Sequence, residues 1–257
     1  MQRDYHVHSN YSDGSFLHLM LEAAESAGLE AVGVADHCTV SERPALRRER
    51  DILGFTLDAT YERRREGIDH LRGEFDLRVY DAVEMDYVRG EDDRIAAFLA
   101  EAGFDYAVGS VHSVDRTNVQ AAERFAGMDA AERRAIVGDY YDSLVALIDA
   151  ELFEIAAHPD LIERNEHLRD LASEDHYERV AAAFADSRTV PEINAGRALR
   201  EYGEVHPAPR FFEVLREHGV EFTLGTDAHR PGDVAPRIGR LESFCAGRGL
   251  EPIELDA

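Results

Sequence analysis

The chain has 257 residues, 44% of them hydrophobic, with 19 glycines and 8 prolines, so it can bury the core of one large domain or two small ones and does not read as disordered. Its 52 acidic side chains against 28 basic ones leave a net charge of -24, and every basic side chain is an arginine. That balance argues against nucleic acid as an obligatory partner and suggests a solvated acidic surface suited to a salt-rich cytoplasm, while no run approaches the roughly 20 apolar residues of a membrane helix.

Residues 4–8 read as a strand carrying His6 and His8. In extended backbone, residues i and i+2 point to the same side, so both imidazoles aim at one spot, as two ligands of one metal would. Asp13 follows on the loop, with Gly14 to turn the chain before a helical pattern over 15–27. Residues 31–35 form a short apolar run of the buried parallel type, ending in Asp36-His37-Cys38. Residues 39–58 have weak periodicity and read as a loop excursion, before a charged helix that runs to about Gly73. The run 77–83 ends in Glu84-Met85-Asp86. A helix over 91–102 leads to the run 106–111 and His112. A helix over about 130–150 leads to the run 153–157, which ends in His158-Pro159-Asp160. A helix near 174–186 precedes the strand 190–194. Another, from Pro207 to His218, precedes the strand 220–226, which ends in Asp227-Ala228-His229. A final helix lies around 236–247.

Strand then helix, repeated about seven times, implies parallel strands joined by helical crossovers. No linker or shift of composition divides the chain, so 1–257 reads as one α/β domain. A barrel and an open doubly wound sheet both fit the alternation. The barrel is the simpler account, because polar residues follow nearly every strand and such ends converge on one face only in a barrel. Two cysteines, Cys38 and Cys245, make no disulfide framework, and the opening residues lack a signal-peptide pattern. The expectation is a soluble cytoplasmic protein; the oligomeric state is left open.

The strand ends collect His6, His8, His37, Glu84, His112, His158, Asp227 and His229, with Asp13 from the first loop. All are imidazoles or carboxylates, a donor set that suits zinc, manganese or iron. They are too many for one ion, and Glu84 is the natural bridge between two. The other six histidines, His18, His70, His167, His176, His206 and His218, fall in charged helical or loop sequence and read mostly as solvated.

This ordered set resembles the PHP (polymerase and histidinol phosphatase) family over essentially the whole chain. Within it, VEMDYVR (83–89), FDYAVGSVHS (104–113), FEIAAHPDLIER (153–164) and PEINAGRALR (191–200) are similar to the histidinol-phosphate phosphatases. The resemblance implies a distorted, TIM-like (β/α)7 barrel with three divalent ions. His6, His8, Glu84 and Asp227 would hold the first ion. Glu84, His112 and His158 would hold the second, and Asp13, His37 and His229 the third. Asp4, Asp36 and Asp160 would either orient ligand imidazoles or make plain strand-end hydrogen bonds.

The expected activity is that of a metal-dependent phosphomonoesterase, hydrolysing L-histidinol phosphate in histidine biosynthesis through attack of a metal-bridging hydroxide. Glu84, Asp227, His229 and Arg197 are the catalytic candidates. Arg197, Arg200 and Arg230 are candidates for the substrate phosphate, whose oxygens fit a guanidinium fork. His229 or a metal-bound water would give the leaving oxygen its proton, and Asp86 and Glu192 could select a cationic substrate. The rival expectations are a phosphoesterase acting on nucleotides or nucleic-acid ends, and a metal-binding module without turnover. Cys38 reads as a packed thiol.

Overall fold

The structure, a computed structural model, describes residues 1–53 and 56–255, apart from the side chain of Glu49. Seven parallel strands are hydrogen-bonded in order: β1 (Arg3–Val7), β2 (Ala31–Cys38), β3 (Arg78–Asp86), β4 (Tyr106–Ser110), β7 (Ile155–Ala156), β8 (Val190–Asn194) and β9 (Thr223–Gly225). Between β4 and β7, the strands β5 (Ser113–Val114) and β6 (Thr117–Asn118) make a small separate hairpin. The first and last strands meet just past β9. Val7 bridges Ala228, the Asp227 N–H donates to the His6 carbonyl at 2.7 Å, and the His8 N–H donates to the Ala228 carbonyl at 2.9 Å. The sheet is therefore a nearly closed barrel, sealed at the end where its strands terminate.

Helices surround it: α1 (Leu17–Ser26), α2 (Pro44–Leu53), α3 (Tyr61–Leu71), α4 (Asp92–Ala102), α5 (Ala122–Phe125), α6 (Ala130–Asp149), α7 (Glu174–Ala185), α8 (Pro209–Glu217) and α9 (Pro231–Arg248). Helix α1 buries Leu17, Met20, Leu21 and Ala24 and packs on α9. A capping box of Asp129 and Glu132 starts α6. Helix α9 begins five residues earlier than its periodicity suggests, because Pro231 at the first turn has a φ already suited to a helix.

Residues 39–58 are not a plain loop. They contain α2 and a 3-10 turn at Leu57–Ala59, with positions 54 and 55 outside the described residues. Helix α2 is mostly charged and leaves Ile52 and Leu53 exposed, so it shows no buried stripe for a periodicity reading to detect. Strands β7 and β9 are shorter than their apolar runs, since the flanking residues keep single bonds, such as Glu154 N–H to the Ala107 carbonyl, rather than a ladder.

The barrel interior has two layers. The lower one is apolar: Tyr5, Tyr80 and Tyr106 pack among Ala31, Ala35, Ala82, Val108, Ile155 and Ala157. Between Asp4 and Val7 the register slips, so that three steps along β1 answer two along β2. This bulge brings both Tyr5 and His6 to the interior, which strict alternation would forbid. The C-terminal tail closes the lower mouth, where the Leu255 N–H donates to the Tyr5 hydroxyl at 3.0 Å. Among the described residues, no helix is long and apolar enough to cross a membrane.

Candidate metal centre

The upper layer is built by the strand ends. Glu84, inward on β3 and 1% exposed, stands at its middle. Its Oε2 lies 2.7 Å from His37 Nδ1, 3.4 Å from His6 Nε2 and 3.5 Å from His8 Nε2. Its Oε1 lies 3.0 Å from His158 Nε2 and 3.5 Å from His112 Nε2, and accepts from the Ser110 hydroxyl. One carboxylate thus offers a different oxygen to each of two histidine sets. Asp227 reaches His8 at 3.4 Å, and Asp13 reaches His229 Nε2 at 3.2 Å. Donor atoms lie within 4.8 Å of one another in three sets: His8, Asp13, His37 and His229; His6, His8 and Asp227; His37, Glu84 and His112. All nine residues expected from the strand ends and first loop are therefore gathered at one mouth. The sets overlap more than the three-ion partition above, with His8 and His37 each belonging to two.

Two observations test whether divalent ions suit this cluster. The buried Glu84 Oε2 has no aligned hydrogen bond despite three ring nitrogens nearby, and the buried His158 Nδ1 has none either. His6 Nε2 and His8 Nε2 face each other at 3.1 Å; neighbouring ligands at about 2.1 Å from a tetrahedral zinc ion lie about 3.4 Å apart. Donors that crowd together without pairing fit a shared cation.

Charge follows the same pattern. Burial pushes the Glu84 carboxyl up, but His37, His6 and His112 outweigh it and hold the group well below the usual carboxylate range. Asp227 is held down against its burial by His8, His229 and His6. Burial pushes His8 down to about 3, with His229 and His37 adding to the effect, and pushes His158 down to about 4. Both rings are therefore neutral at pH 7, the form that ligates a metal, whereas nearby carboxylates outweigh burial and push His6, His37, His112 and His229 up.

Other acids orient the ligand rings, and Asp4, Asp36 and Asp160 take the second of their two expected roles, plain hydrogen bonding. His6 Nδ1 is held by Glu192 at 2.9 Å, and His112 Nδ1 by Asp86 at 2.5 Å. Asp4 instead binds the Thr226 hydroxyl and N–H and the His6 N–H. Asp36 binds Ser9, Ser12 and the buried Arg64, fixing the loop that follows β1. Asp160 binds His206, which is fully buried rather than solvated. None of the three aspartates touches the ring of a candidate ligand. Glu192 is fully buried beneath His6 and cannot meet a substrate, whereas Asp86 lines two cavities that adjoin the cluster. Cys38 is packed in the outer core, and burial pushes its thiol well up.

Close approach dictates two glycines. A Cβ on Gly225 would overlap Glu192 Oε1, and one on Gly196 would overlap Asp227 Oδ2. His158 and Asp227 have φ of 29° and 53°, left-handed values that L-residues hold only where the surroundings enforce them.

A cavity of about 300 Å³ opens over the cluster, lined by His37, His112, His158, Asp227 and His229 and by five arginines. Three are the expected Arg197, Arg200 and Arg230; the others are Arg164 and Arg237. Arg197 and Arg230 are exposed, and Arg200 stands 3.7 Å from Asp233. Arg164, its side chain 9% exposed, is a functional candidate that sequence reasoning missed. Its Nη2 lies 3.2 Å from Asn194 Oδ1 and 3.4 Å from Asp227 Oδ2. Its one sequence signal is its place six residues past His158, where the 3-10 turn Leu161–Arg164 brings it back over the barrel.

A family profile described as PHP domain matches residues 4–196. The chain is 28% identical over 167 residues to a probable histidinol-phosphatase of Deinococcus radiodurans; the match takes in 65% of this chain and 62% of that protein. Its fold is similar to HisK of Listeria monocytogenes, with a TM-score of 0.77 at 18% identity, covering 94% of this chain and 99% of that one. A histidinol phosphate phosphatase of Lactococcus lactis, solved in complex with zinc, L-histidinol and phosphate, gives 0.77 at 17% identity over 98% of this chain and 95% of that one. Asp227 and His229 fall beyond the matched segment, and the seam between β1 and the end of β9 returns them to it. On the profile match, with a barrel whose strand ends carry the expected donors, this chain belongs to the PHP domain family.

Proposed function

We propose that the chain is a metal-dependent phosphomonoesterase of the cytoplasm, with L-histidinol phosphate as its substrate. The observation that carries the reading is Glu84, a buried carboxylate with one oxygen toward His6, His8 and His37 and the other toward His112 and His158. His6, His8, Glu84 and Asp227 would hold one divalent ion, Glu84, His112 and His158 a second, and Asp13, His37 and His229 a third, of zinc, manganese or iron. Bound there, such ions supply Lewis acidity and lower the pKa of water.

The protein's own contribution is placement and charge. Glu192 and Asp86 fix the rings of His6 and His112, so that each offers Nε2 to the centre. His229 donates Nδ1–H to the Asp227 carbonyl at 2.9 Å, which leaves its Nε2 toward Asp13. Arg164, with Arg197, Arg200 and Arg230, brings guanidinium groups to the cavity over the cluster, where a phosphoryl group would lie. The leaving alcohol then occupies the adjoining cavities that share His112 and Asp86, and Asp86 offers a carboxylate to a cationic amine. The substrate assignment is supported by the names of the relatives described above.

The test is a panel of phosphomonoesters assayed at high salt with manganese, zinc or iron. L-Histidinol phosphate should be turned over faster than an aryl phosphate, a mononucleotide or a 5′-phosphorylated oligonucleotide. Equal rates for histidinol phosphate and aryl phosphate would overturn the substrate, and no turnover of any ester would overturn the activity.

A further inference from the structure

We propose that Asp160 and His206 are positioning residues that hold the Arg164 guanidinium in place and so set the affinity for the phosphoryl group. This inference rests on the phosphomonoesterase reading. Arg164 Nε–H donates to His206 Nε2 at 2.9 Å. A guanidinium can only donate, so Nε2 bears no proton. The ring proton is therefore on Nδ1, 2.6 Å from Asp160 Oδ1. Asp160 Oδ2 accepts the Ala208 N–H, also at 2.6 Å, so the carboxylate cannot turn. One hydrogen-bonding sequence satisfies all four groups, and it fixes both the tautomer and the ring plane.

The imidazole is clamped in other ways. Its backbone N–H and carbonyl both bond to Asn194 at 2.9 Å, beside the metal-facing end of β8. Tyr202 stacks on the ring, with centroids 4.9 Å apart and planes 9° from parallel. Arg164 is then held along its Nε–H and Nη2 edge by His206, Asn194 and Asp227. Its Nη1 has no hydrogen-bond partner among the described residues, and Arg164 lines the cavity. An arginine fixed along one edge presents the other with little rotamer freedom left to lose, which is what binding an oxyanion needs. His206 itself is 0% exposed, and both its ring nitrogens are spent on Arg164 and Asp160, so it acts on the site through the guanidinium rather than as a ligand.

The experiment uses the full metal-loaded protein, with p-nitrophenyl phosphate as substrate and inorganic phosphate as competitive inhibitor. His206→Phe keeps a ring against Tyr202 and removes both hydrogen bonds. It should raise KM and the phosphate inhibition constant about tenfold, with metal content unchanged. His206→Gln, whose Oε1 can accept from Arg164, should return both to within about threefold of wild type. In an Arg164→Ala background, His206→Phe should add nothing further, an outcome that a merely packing role would not give. Unchanged phosphate affinity in His206→Phe, or the same loss with and without Arg164, overturns the proposal. Should His206→Phe fail to fold, Asp160→Asn takes its place, with an expected rise of about threefold that also vanishes without Arg164. If wild type hydrolyses no phosphomonoester, the activity reading fails; calorimetric phosphate binding to the same variants then decides this proposal, and absence of binding to wild type overturns it.

Discussion

The two halves of the barrel interior use the same strands for opposite purposes. Below, three tyrosine rings pack with centroids 5.7 to 6.2 Å apart among alanines. Above, five imidazoles surround one carboxylate. The change occurs along each strand at the inward positions: Ala31, Gly33 and Ala35 give way to His37 on β2, Tyr80 and Ala82 to Glu84 on β3, and Tyr106 and Val108 to Ser110 on β4. The lower half gains stability from dispersion and apolar burial. In the upper half, burial opposes every charge and only mutual neutralisation, or a cation, offsets it. Stability and function are thus stacked along one axis, and substitutions should separate them.

The largest effect is expected at Glu84. Glu84→Gln should lower turnover more than about 100-fold, beyond the usual cost of removing an outer-shell partner, and reduce bound metal, while the circular dichroism spectrum stays native. Retained turnover would break the contrast between the halves. Next comes Gly225→Ala, which forces Glu192 away from His6. It should cost about 1–3 kcal/mol of stability and about tenfold in activity, read by urea melts and by rate. Glu163 sharpens the comparison, because it is a buried acid set by burial and acidic neighbours rather than by the imidazole cluster. Burial, with Asp160 adding, raises its carboxyl to about 7. A carboxyl raised in the fold keeps its proton longer than in the unfolded chain, so stability is greatest below pH 4.5 and declines as pH rises to about 7. Glu163→Gln should therefore match wild type in urea near pH 4.5 and exceed it by about 1–3 kcal/mol at pH 8. The smallest effect belongs to the lower layer. Tyr106→Phe removes a hydroxyl that donates to the Tyr5 carbonyl at 2.6 Å. It should cost about 1 kcal/mol in melts and leave turnover within twofold.

The positions of the donors were legible because period-two alternation and strand ends are local signals. His6 and His8 do converge, and Asp227 and His229 do follow the last strand. What was not legible depends on breaks in that alternation or on distant partners. Ala157 faces the interior, so alternation would turn His158 outward, and its left-handed φ restores it to the cluster. The bulge in β1 does the same for His6 beside Tyr5. His206 and Arg164 are 42 residues apart, and neither lies in a strand, so nothing local announces their hydrogen bond. Asp36 points to the outer side of β2, where Arg64 from α3 waits for it, and its neighbour His37 takes the inner side.

The seam that joins β1 to the end of β9 carries a consequence for biosynthesis. His8 is made 220 residues before Ala228, whose backbone carbonyl fixes it. At about 5–20 residues per second, that interval lasts roughly 10–45 s. Throughout it, His6 and His8 lack the partners at the end of β9 that enforce their geometry. The arrangement that gathers His6 and His8 with Asp227 and His229 is therefore complete only once the last strand is made, not when the first of these residues appears.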